Sequence, residues 1–331
     1  MNSPSLARLI QYFFTDWLTR QFGASHHTVA GYRDAFRLLL RFAAERLGRV
    51  PSEIHVEALD AAFLGAFLDH LELERGNCTR TRNIRLSALH AFFRYVAITE
   101  PSLALQCQRV LAIPRKRHER RPMEFLAEEE AEAMIAAPDS RTWLGWRDRT
   151  LLQMALQTGL RNHEIRALRR EEVELGAGAH VRCLGKGRKM RCTPLAKNVA
   201  LALKEWLTKQ DGGPESVVFP SSKGGALSAD ALQRLVSRHA KTAGMTCPSI
   251  ISKSVTPHTL RHTAAMNLLW RGVDLSVIAL WLGHESVETT QAYLHADLRL
   301  KERALGHASA TGEKPKLYSP SDPLLSFLES L

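Results

Sequence analysis

Apolar residues recur at the spacing of an α-helix along most of this chain of 331 residues, and this pattern restricts the fold more than any other feature. In residues 26–47, for example, Val29 and Phe36 fall on the same helical face. Four such segments occupy the first part of the chain: 5–20, 26–47, 59–76 and 79–99. Because only short loops separate them, residues 1–113 are predicted to form an all-α domain of four helices.

The spacing changes once, in the sequence "HVRCLGKGRKMRCTPL" of residues 180–195. Its residues alternate on both sides of a Gly-Lys-Gly turn, which predicts a β-hairpin. The rest of residues 123–305 keeps helical patterns. The predicted fold class is therefore mainly α, with a second, mostly helical domain that contains a small antiparallel β-sheet.

Positive charge is concentrated between these two domains. The formal net charge of +11 favours a polyanionic partner, most simply nucleic acid. Residues 114–122, "PRKRHERRP", hold five basic residues and one acidic residue. We interpret them as a basic interdomain linker and expect Arg115, Lys116 and Arg117 to lie along DNA phosphates.

A second basic cluster opens the fourth predicted helix. Arg80, Arg82 and Arg85 stand there among threonines and an asparagine. Cations and short donors at a helix N-terminus suit phosphate contact, so these arginines are candidate DNA-binding residues. The alternative is an ordinary solvated helix end.

The cysteine and hydropathy patterns indicate the cellular compartment in which the protein is expected. Five cysteines are scattered without a Cys-x-x-Cys pair, which is typical of reduced thiols and not of a disulfide framework or a zinc site. No apolar run reaches the roughly 18 residues of a membrane helix, and the N-terminus lacks the pattern of a secretion signal. The sequence therefore predicts a cytoplasmic protein that does not contact a membrane.

The last segment, 306–331, is predicted to be a tail. Residues 306–322 are loop-like, and "DPLLSFLESL" predicts a short apolar helix with Asp322 as its N-cap and Pro323 at its first position. Such a helix could fold back on its own domain or dock in trans on a neighbouring subunit.

Three residues of "TPHTLRHTAAMNLL" indicate a site for an anion. His258, Arg261 and His262 stand at i, i+3 and i+4 and share one helical face. Two histidines at this spacing could bind zinc, but Thr259 stands where a metalloprotease has its glutamate, and we predict no metal. A buried histidine pair is the other alternative. Arg261 would then need an anionic partner, and a phosphate would serve.

Two further cations follow or occupy glycine turns. "TGLRNHE" places Arg161 at the mouth of a helix, where Glu164 could orient it towards an anion or simply pair with it. "GKGRK" places Lys186 at the hairpin tip, either in water or reaching into a groove.

A tyrosine completes the set in "LGHESVETTQAYLHAD". Tyr293 lies nine residues after His284, on a predicted short polar helix. The residues alone leave two interpretations open, a half-buried tyrosine that packs the helix and a nucleophile.

The order and spacing of these residues resemble the tyrosine recombinase (phage integrase) family, of the Xer-like two-domain type. "TGLRNHE" resembles the first arginine box, "GKGRKMRCTPL" the lysine hairpin, "HTLRH" the His-x-x-Arg-His box, "LGHES" the next box and "TTQAYLH" the nucleophile box. The resemblance covers about residues 8–305, and residues 1–113 resemble the core-binding, SAM-like domain. The hairpin departs from the family pattern at Met190 and offers Lys189 as an alternative to Lys186.

The resemblance implies a DNA-cleaving and rejoining enzyme with six catalytic and two supporting residues. They are Tyr293, Arg161, Lys186, His258, Arg261 and His284, supported by Glu164 and His262. The tyrosine would form a 3′-phosphotyrosyl bond, the arginines would bind the phosphate oxygens, and the lysine would protonate the leaving 5′-oxygen. No metal, ATP or other cofactor would be needed.

The implied partners are double-stranded DNA recombination sites and other copies of the chain in a synaptic tetramer, with or without a related partner recombinase. We expect a role in mobile-element integration or excision. Xer-type chromosome-dimer resolution is an alternative within the family. A relaxing topoisomerase and a catalytically silent DNA-binding factor are alternatives outside it.

Overall fold

The computed structural model of the chain describes residues 5–117, 123–185, 190–284, 290, 291 and 293, and the structural statements below concern these residues. The chain divides into two compact units, Met1–Arg120 and Arg121–Leu331. Most described residues are helical and one small sheet is present, which confirms the predicted fold class.

The first unit is all-helical in its described residues. Its α-helices are α1 (Leu6–Tyr12), α2 (His26–Leu47), α3 (Ala61–Leu73), α4 (Thr79–Thr99) and α5 (Ala104–Leu111). A π-helix, Phe13–Gln21, continues α1, and 3₁₀ turns span Pro51–Glu53, Val56–Ala58 and Pro101–Leu103.

Both ends of α2 are capped. The Ser25 hydroxyl accepts a hydrogen bond from the Thr28 amide at the start of α2, and Gly48 ends this helix with a left-handed φ of 62°. The short α5 was not predicted, because eight residues are too few to show a helical period clearly.

An aromatic core holds the first unit together. The Phe13 ring lies 5.4 Å from that of Phe92, and Phe36 lies 5.1 Å from Phe92, both edge to face or nearly so. These three side chains are almost fully buried and join the π-helix to α2 and α4.

The second unit combines helices with one sheet. Its α-helices are α6 (Glu128–Ala136), α7 (Trp143–Thr158), α8 (Asn162–Ala167), α9 (Lys197–Thr208), α10 (Ala229–Ala243), α11 (Pro257–Trp270) and α12 (Leu275–Leu282). Its strands are β1 (Val173–Glu174), β2 (His180–Leu184) and β3 (Met190–Pro194), and 3₁₀ turns span Arg170–Glu172 and Pro248–Ser252.

The sheet has the order β1-β2-β3 and is antiparallel, with Arg182 opposite Cys192 and Cys183 opposite Arg191. The predicted hairpin is thus confirmed, and β1 adds an edge strand that two residues could not signal in the sequence. The tip of the hairpin, residues 186–189, lies outside the described residues.

Two apolar clusters fill the second unit. The larger cluster surrounds the fully buried Trp206 between α7, α9 and the sheet. The smaller one packs α11 against α12 and includes Met266, Ile278, Leu282 and Tyr293. In the part of the chain that the structure describes, no helix has both the length and the apolar character needed to cross a membrane.

Candidate active site

A tight turn between α7 and α8 positions Arg161. Helix α7 ends at Gly159, whose φ is 64°, and a Cβ atom there would lie 2.7 Å from Leu282 Cδ2, so only glycine fits. Arg161 then caps α8, and its amide donates to Glu164 Oε2 over 2.7 Å. Its guanidinium donates from Nη1 to Glu164 Oε1 over 3.1 Å and from Nη2 to the Gly283 carbonyl oxygen over 2.6 Å.

The turn at Gly159 and the turn at Leu282–Gly283 also hold Arg261. It lies on α11, which begins with Thr256 as N-cap and Pro257 at the first position, and it is 2% exposed. Its Nη1 donates to the Gly159 carbonyl oxygen over 2.7 Å, and its Nη2 donates to the Leu282 carbonyl oxygen over 2.8 Å. Burial, together with the nearby charge of Arg161, lowers the pKa of Arg261 to about 10.

Three histidines lie around these arginines. The rings of His258 and His262 are 4.2 Å apart. His262 Nδ1 lies 3.1 Å from the Tyr293 hydroxyl, and His284 Nδ1 lies 2.8 Å from the Thr290 hydroxyl. Burial and the surrounding positive charge lower the pKa of His262 to about 3 and that of His284 to about 4, so both rings are neutral at pH 7.

The Tyr293 phenol lies inside the second unit. It is 2% exposed, packs in the small cluster between α11 and α12, and stacks on the His284 ring at 6.3 Å with an interplanar angle of 6°. Burial raises its pKa to about 12, although the positive charges of Arg261 and Arg161 act in the opposite direction. Its hydroxyl therefore keeps its proton at pH 7 and shares a hydrogen bond with the neutral His262. The phenol thus reaches the predicted group of residues, but it is packed in a core and does not face solvent.

A pocket of about 310 Å³ opens beside the arginines. Its lining residues are Arg161, Asn162, His163, Gln233, Thr256, Pro257, His258 and Arg261. Both guanidiniums and the first histidine of the "HTLRH" box thus border one cavity.

One charged residue of the site was missed in the sequence. Arg191 on β3 donates from Nη1 to Glu164 Oε1 and from Nη2 to Glu164 Oε2, both over 2.7 Å. Burial acts to raise the pKa of Glu164, but its hydrogen bonds with Arg191 and Arg161 outweigh burial and lower it to about 2. The one available signal was an arginine in the strand that follows the "GKGRK" turn.

Lys186 and its alternative Lys189 lie outside the described residues, as do residues 285–289 and the tail 306–331. Among the described residues, no group of three histidine, cysteine, aspartate or glutamate side chains has an arrangement suited to a metal ion.

The candidate DNA-binding residues separate into two groups. Arg80, Arg115, Lys116 and Arg117 line a groove of about 580 Å³ on the first unit. The linker start is fixed there because Asn83 Nδ2 donates to the Lys116 carbonyl oxygen over 2.8 Å, while the Lys116 amide donates to Asn83 Oδ1 over 3.1 Å.

Arg82 and Arg85 do not line this groove. Arg82 is 5% exposed, donates to the Pro114 carbonyl oxygen over 3.1 Å and lies 3.7 Å from a Glu72 oxygen. Arg85 is half-buried and donates to the Gly31 carbonyl oxygen over 3.0 Å. Both guanidiniums hold parts of the first unit together.

Comparison with known sequences matches both units to family models. Residues 12–99 match the model described as "Phage integrase, N-terminal SAM-like domain", and residues 124–299 match the one described as "Phage integrase family".

Curated relatives match along nearly the whole chain. A protein of Sinorhizobium fredii whose name describes it as an integrase/recombinase (y4rC) is 50% identical over 327 residues, which cover 99% of this chain and 98% of the relative. The tyrosine recombinase XerC of Xylella fastidiosa is 34% identical over 300 residues, covering 89% and 94%.

A solved structure shows the same fold. The XerH site-specific recombinase, bound to its palindromic difH substrate in a post-cleavage complex, superposes with a TM-score of 0.68 at 23% identity. The match covers 86% of this chain and 80% of XerH.

Proposed function

This chain belongs to the phage integrase family of tyrosine recombinases, whose members cut and rejoin DNA, and from that premise we propose a site-specific recombinase that acts through a 3′-phosphotyrosyl bond to Tyr293. The observation that supports this most is the shared anchoring of Arg161 and Arg261. The turns at Gly159 and at Leu282–Gly283 hold both guanidiniums beside one pocket and within electrostatic reach of the phenol.

The charge balance of the site favours a phosphate. Arg161, Arg191 and Arg261 bring three positive charges, and Glu164 is the one carboxylate that hydrogen-bonds with them in the described residues. Arg261 instead donates to two neutral carbonyl oxygens. A phosphodiester in the pocket would supply the missing negative charge, and its equatorial oxygens would gain most from both guanidiniums in the transition state.

The proposed chemical step exchanges one phosphoester bond for another. The Tyr293 oxygen attacks phosphorus, the bond to the 5′-oxygen breaks, and the freed 5′-hydroxyl of another strand later reverses the exchange without ATP. The phenol proton can pass to His262, whose Nδ1 lies within hydrogen-bond distance of the hydroxyl. His258 borders the pocket and is placed for a phosphate oxygen, and we assign His284 a supporting hydrogen bond. Lys186 keeps its proposed role as the acid for the leaving oxygen.

Because Tyr293 is buried, the proposed reaction requires its side chain to move before it can attack a phosphate. A phenol that is 2% exposed cannot meet a phosphate in the neighbouring pocket. We therefore infer that the Tyr293 side chain leaves this core when DNA binds, and that the neutral His262 releases the hydroxyl in that step.

Several wider assignments accompany this function. On the first unit, the groove of Arg80, Arg115, Lys116 and Arg117 contacts DNA phosphates. The active assembly is a tetramer on two DNA sites, with residues 306–331 as the segment that docks between subunits. All five cysteines are unpaired, which fits the cytoplasm as the compartment.

The biological role that we propose is integration or excision of a mobile element. The 50% identity with an integrase/recombinase exceeds the 34% identity with a XerC protein, which favours this role over chromosome-dimer resolution. Transfer of a DNA segment between two marked replicons, compared with resolution of a replicon dimer, distinguishes the two.

The direct test of the chemistry uses a nicked suicide duplex that carries the sequence protected by the protein in a footprint of DNA flanking its gene. We expect the wild-type protein to form a DNA adduct that survives SDS, and Tyr293→Phe to bind the duplex but form none. Binding without any wild-type adduct would support the catalytically silent DNA-binding factor instead. Metal-dependent cleavage that persists in Tyr293→Phe would indicate a nuclease.

A further inference from the structure

Arg191 and Glu164 form a closed, bidentate ion pair. Both Nη atoms of Arg191 donate to the two carboxylate oxygens over 2.7 Å, which is the parallel fork geometry that gives the strongest arginine–carboxylate pairs. The side chains are 11% and 2% exposed, so water screens the pair weakly. None of the proposed chemical steps uses Arg191.

The same carboxylate also holds Arg161. Glu164 Oε1 accepts from Arg161 Nη1 over 3.1 Å, and Glu164 Oε2 accepts from the Arg161 amide over 2.7 Å. Each oxygen of Glu164 thus receives one hydrogen bond from Arg191 and one from Arg161. The position of the Arg161 guanidinium depends on a carboxylate that Arg191 fixes from strand β3.

Arg191 also touches the second anchor of Arg161. The Gly283 carbonyl oxygen accepts from Arg161 Nη2 over 2.6 Å. Gly283 has a φ of +65°, and a Cβ atom on it would lie 3.0 Å from Arg191 Cδ and Nη1. Arg191 therefore packs against the turn whose carbonyl holds the guanidinium, as well as against Glu164.

We propose that Arg191 is a positioning residue for DNA cleavage, which orients the phosphate-binding guanidinium of Arg161 through Glu164 and the Gly283 turn. This inference rests on the proposed recombinase function. A lysine would keep the charge but lose the second parallel hydrogen bond, so it would hold Glu164 less precisely than arginine does.

The pair also determines the protonation state of Glu164. Arginines, a histidine and a cysteine face this carboxylate from its own helix, the hairpin and α11: Arg161, His163, Arg191, Cys183 and Arg261. Arg191 is the strongest contributor to the low pKa of Glu164 and opposes the effect of burial. Without Arg191, burial raises the pKa of Glu164, and a protonated carboxyl would hold Arg161 poorly.

The test measures single-turnover cleavage of the suicide duplex from pH 5 to 8 by Arg191→Gln, Arg191→Lys and a control, Arg182→Gln. Arg182 lies on the neighbouring strand β2, is exposed and donates to the Glu171 carbonyl oxygen. We expect Arg191→Gln to cleave on the order of 10- to 100-fold more slowly at pH 7, because a misplaced binding group costs about that much. Arg191→Lys should recover part of the rate, and Arg182→Gln should match the wild type.

The pH profile separates positioning from simple structural damage. Arg191→Gln should show an additional fall in rate towards pH 5 that is absent from the wild type, since Glu164 gains a proton in this range. The double variant Glu164→Gln/Arg191→Gln should lose this acid limb and cleave no more slowly than Glu164→Gln alone. A wild-type rate in Arg191→Gln, the absence of an acid limb, or independent losses that multiply in the double variant would each overturn the proposal.

A separate measurement tests Arg191 if the chain proves not to be a recombinase. If the wild type forms no adduct, sulfate serves as the probe of the arginine pocket. We then expect sulfate to raise the melting temperature of the wild type and Arg182→Gln but not that of Arg191→Gln. An equal increase in all three proteins, or in none, would show that Arg191 does not organise an anion site.

Discussion

Among its described residues, the second unit contains two buried carboxylates that hold arginines, and the two clusters differ in which charges remain without a partner of opposite sign. Asp148 Oδ1 accepts from Arg147 Nε and Nη2 over 2.9 and 2.7 Å, while Oδ2 lies 2.8 Å from both Arg238 and His239. Arg147 also donates to the Pro220 carbonyl oxygen, and the Arg238 side chain is 60% exposed. In this cluster the buried charges compensate each other and the surplus charge is hydrated.

The Glu164 cluster starts from similar components but leaves positive charge inside. Arg191 and Arg161 share the carboxylate, whereas the buried Arg261, within the described part of the chain, donates to carbonyl oxygens beside a pocket of about 310 Å³. Since a buried cation is costly without an anion, such an arrangement indicates a ligand. Burial and pairing of arginines therefore do not by themselves mark a ligand site, whereas a surplus cation beside a pocket does.

The largest effect that tests this difference is on catalysis. Arg261→Lys should lower the rate of suicide-duplex cleavage by about 10²- to 10³-fold with nearly intact DNA binding, because it removes a fixed donor from the transition state. Arg147→Lys, the matched change in the compensated cluster, should cleave at the wild-type rate per folded molecule. Single-turnover rates and gel-shift affinities, both corrected for folded fraction, measure this. Equal loss in both variants would remove the distinction between the clusters.

The second predicted effect is on stability. Here a change in the Asp148 cluster should lower the free energy of unfolding and leave cleavage unchanged. Asp148→Asn leaves the buried Arg147 without its anion, and breaking such a pair costs about 3 kcal/mol or more in the free energy of unfolding. Cleavage by the molecules that remain folded should not change. Urea unfolding followed by tryptophan fluorescence suits the measurement, since five of the six tryptophans lie in the second unit. A stable Asp148→Asn protein with impaired cleavage would instead place Asp148 in the catalytic machinery.

The features that the sequence predicted are those with local causes. The hairpin followed from alternation around a glycine turn, and the helix over 26–47 followed from its apolar spacing. The convergence of Arg161, His258 and Arg261 came from the resemblance to a family, since more than 90 residues separate the first two along the chain.

The features that were missed depend on distant partners. Arg191 looks like any strand arginine until Glu164, 27 residues earlier, is seen to receive it. Arg82 was interpreted as a phosphate ligand, but it donates to Pro114, 32 residues later. The burial of Tyr293 depends on how α11 packs against α12, which helical periodicity does not report.

The last predicted effect compares the acid sensitivity of His262, next to Arg261, with that of the Asp148 cluster. In the folded chain the pKa of His262 is about 3, whereas an unfolded histidine has a pKa of about 6.5. The unfolded state therefore binds more protons between these values, and stability is lost as pH falls below about 6.5. Asp148 also has a lowered pKa, but its contribution is complete above the unfolded aspartate value of about 3.9 and is lost only below it.

His262→Gln should consequently flatten the dependence of unfolding free energy on pH between 6.5 and 4, by up to about 1.4 kcal/mol per pH unit. Glutamine can still accept the Tyr293 hydroxyl proton in a hydrogen bond, so the packing around the phenol is retained. His27→Gln, at an exposed position in the first unit, is the control and should leave the slope as in the wild type. Urea unfolding at intervals of half a pH unit gives the slope. If His262→Gln keeps the wild-type slope, burial does not lower the pKa of His262 in the folded chain, and the ring is not held neutral beside the phenol as the proposed mechanism requires.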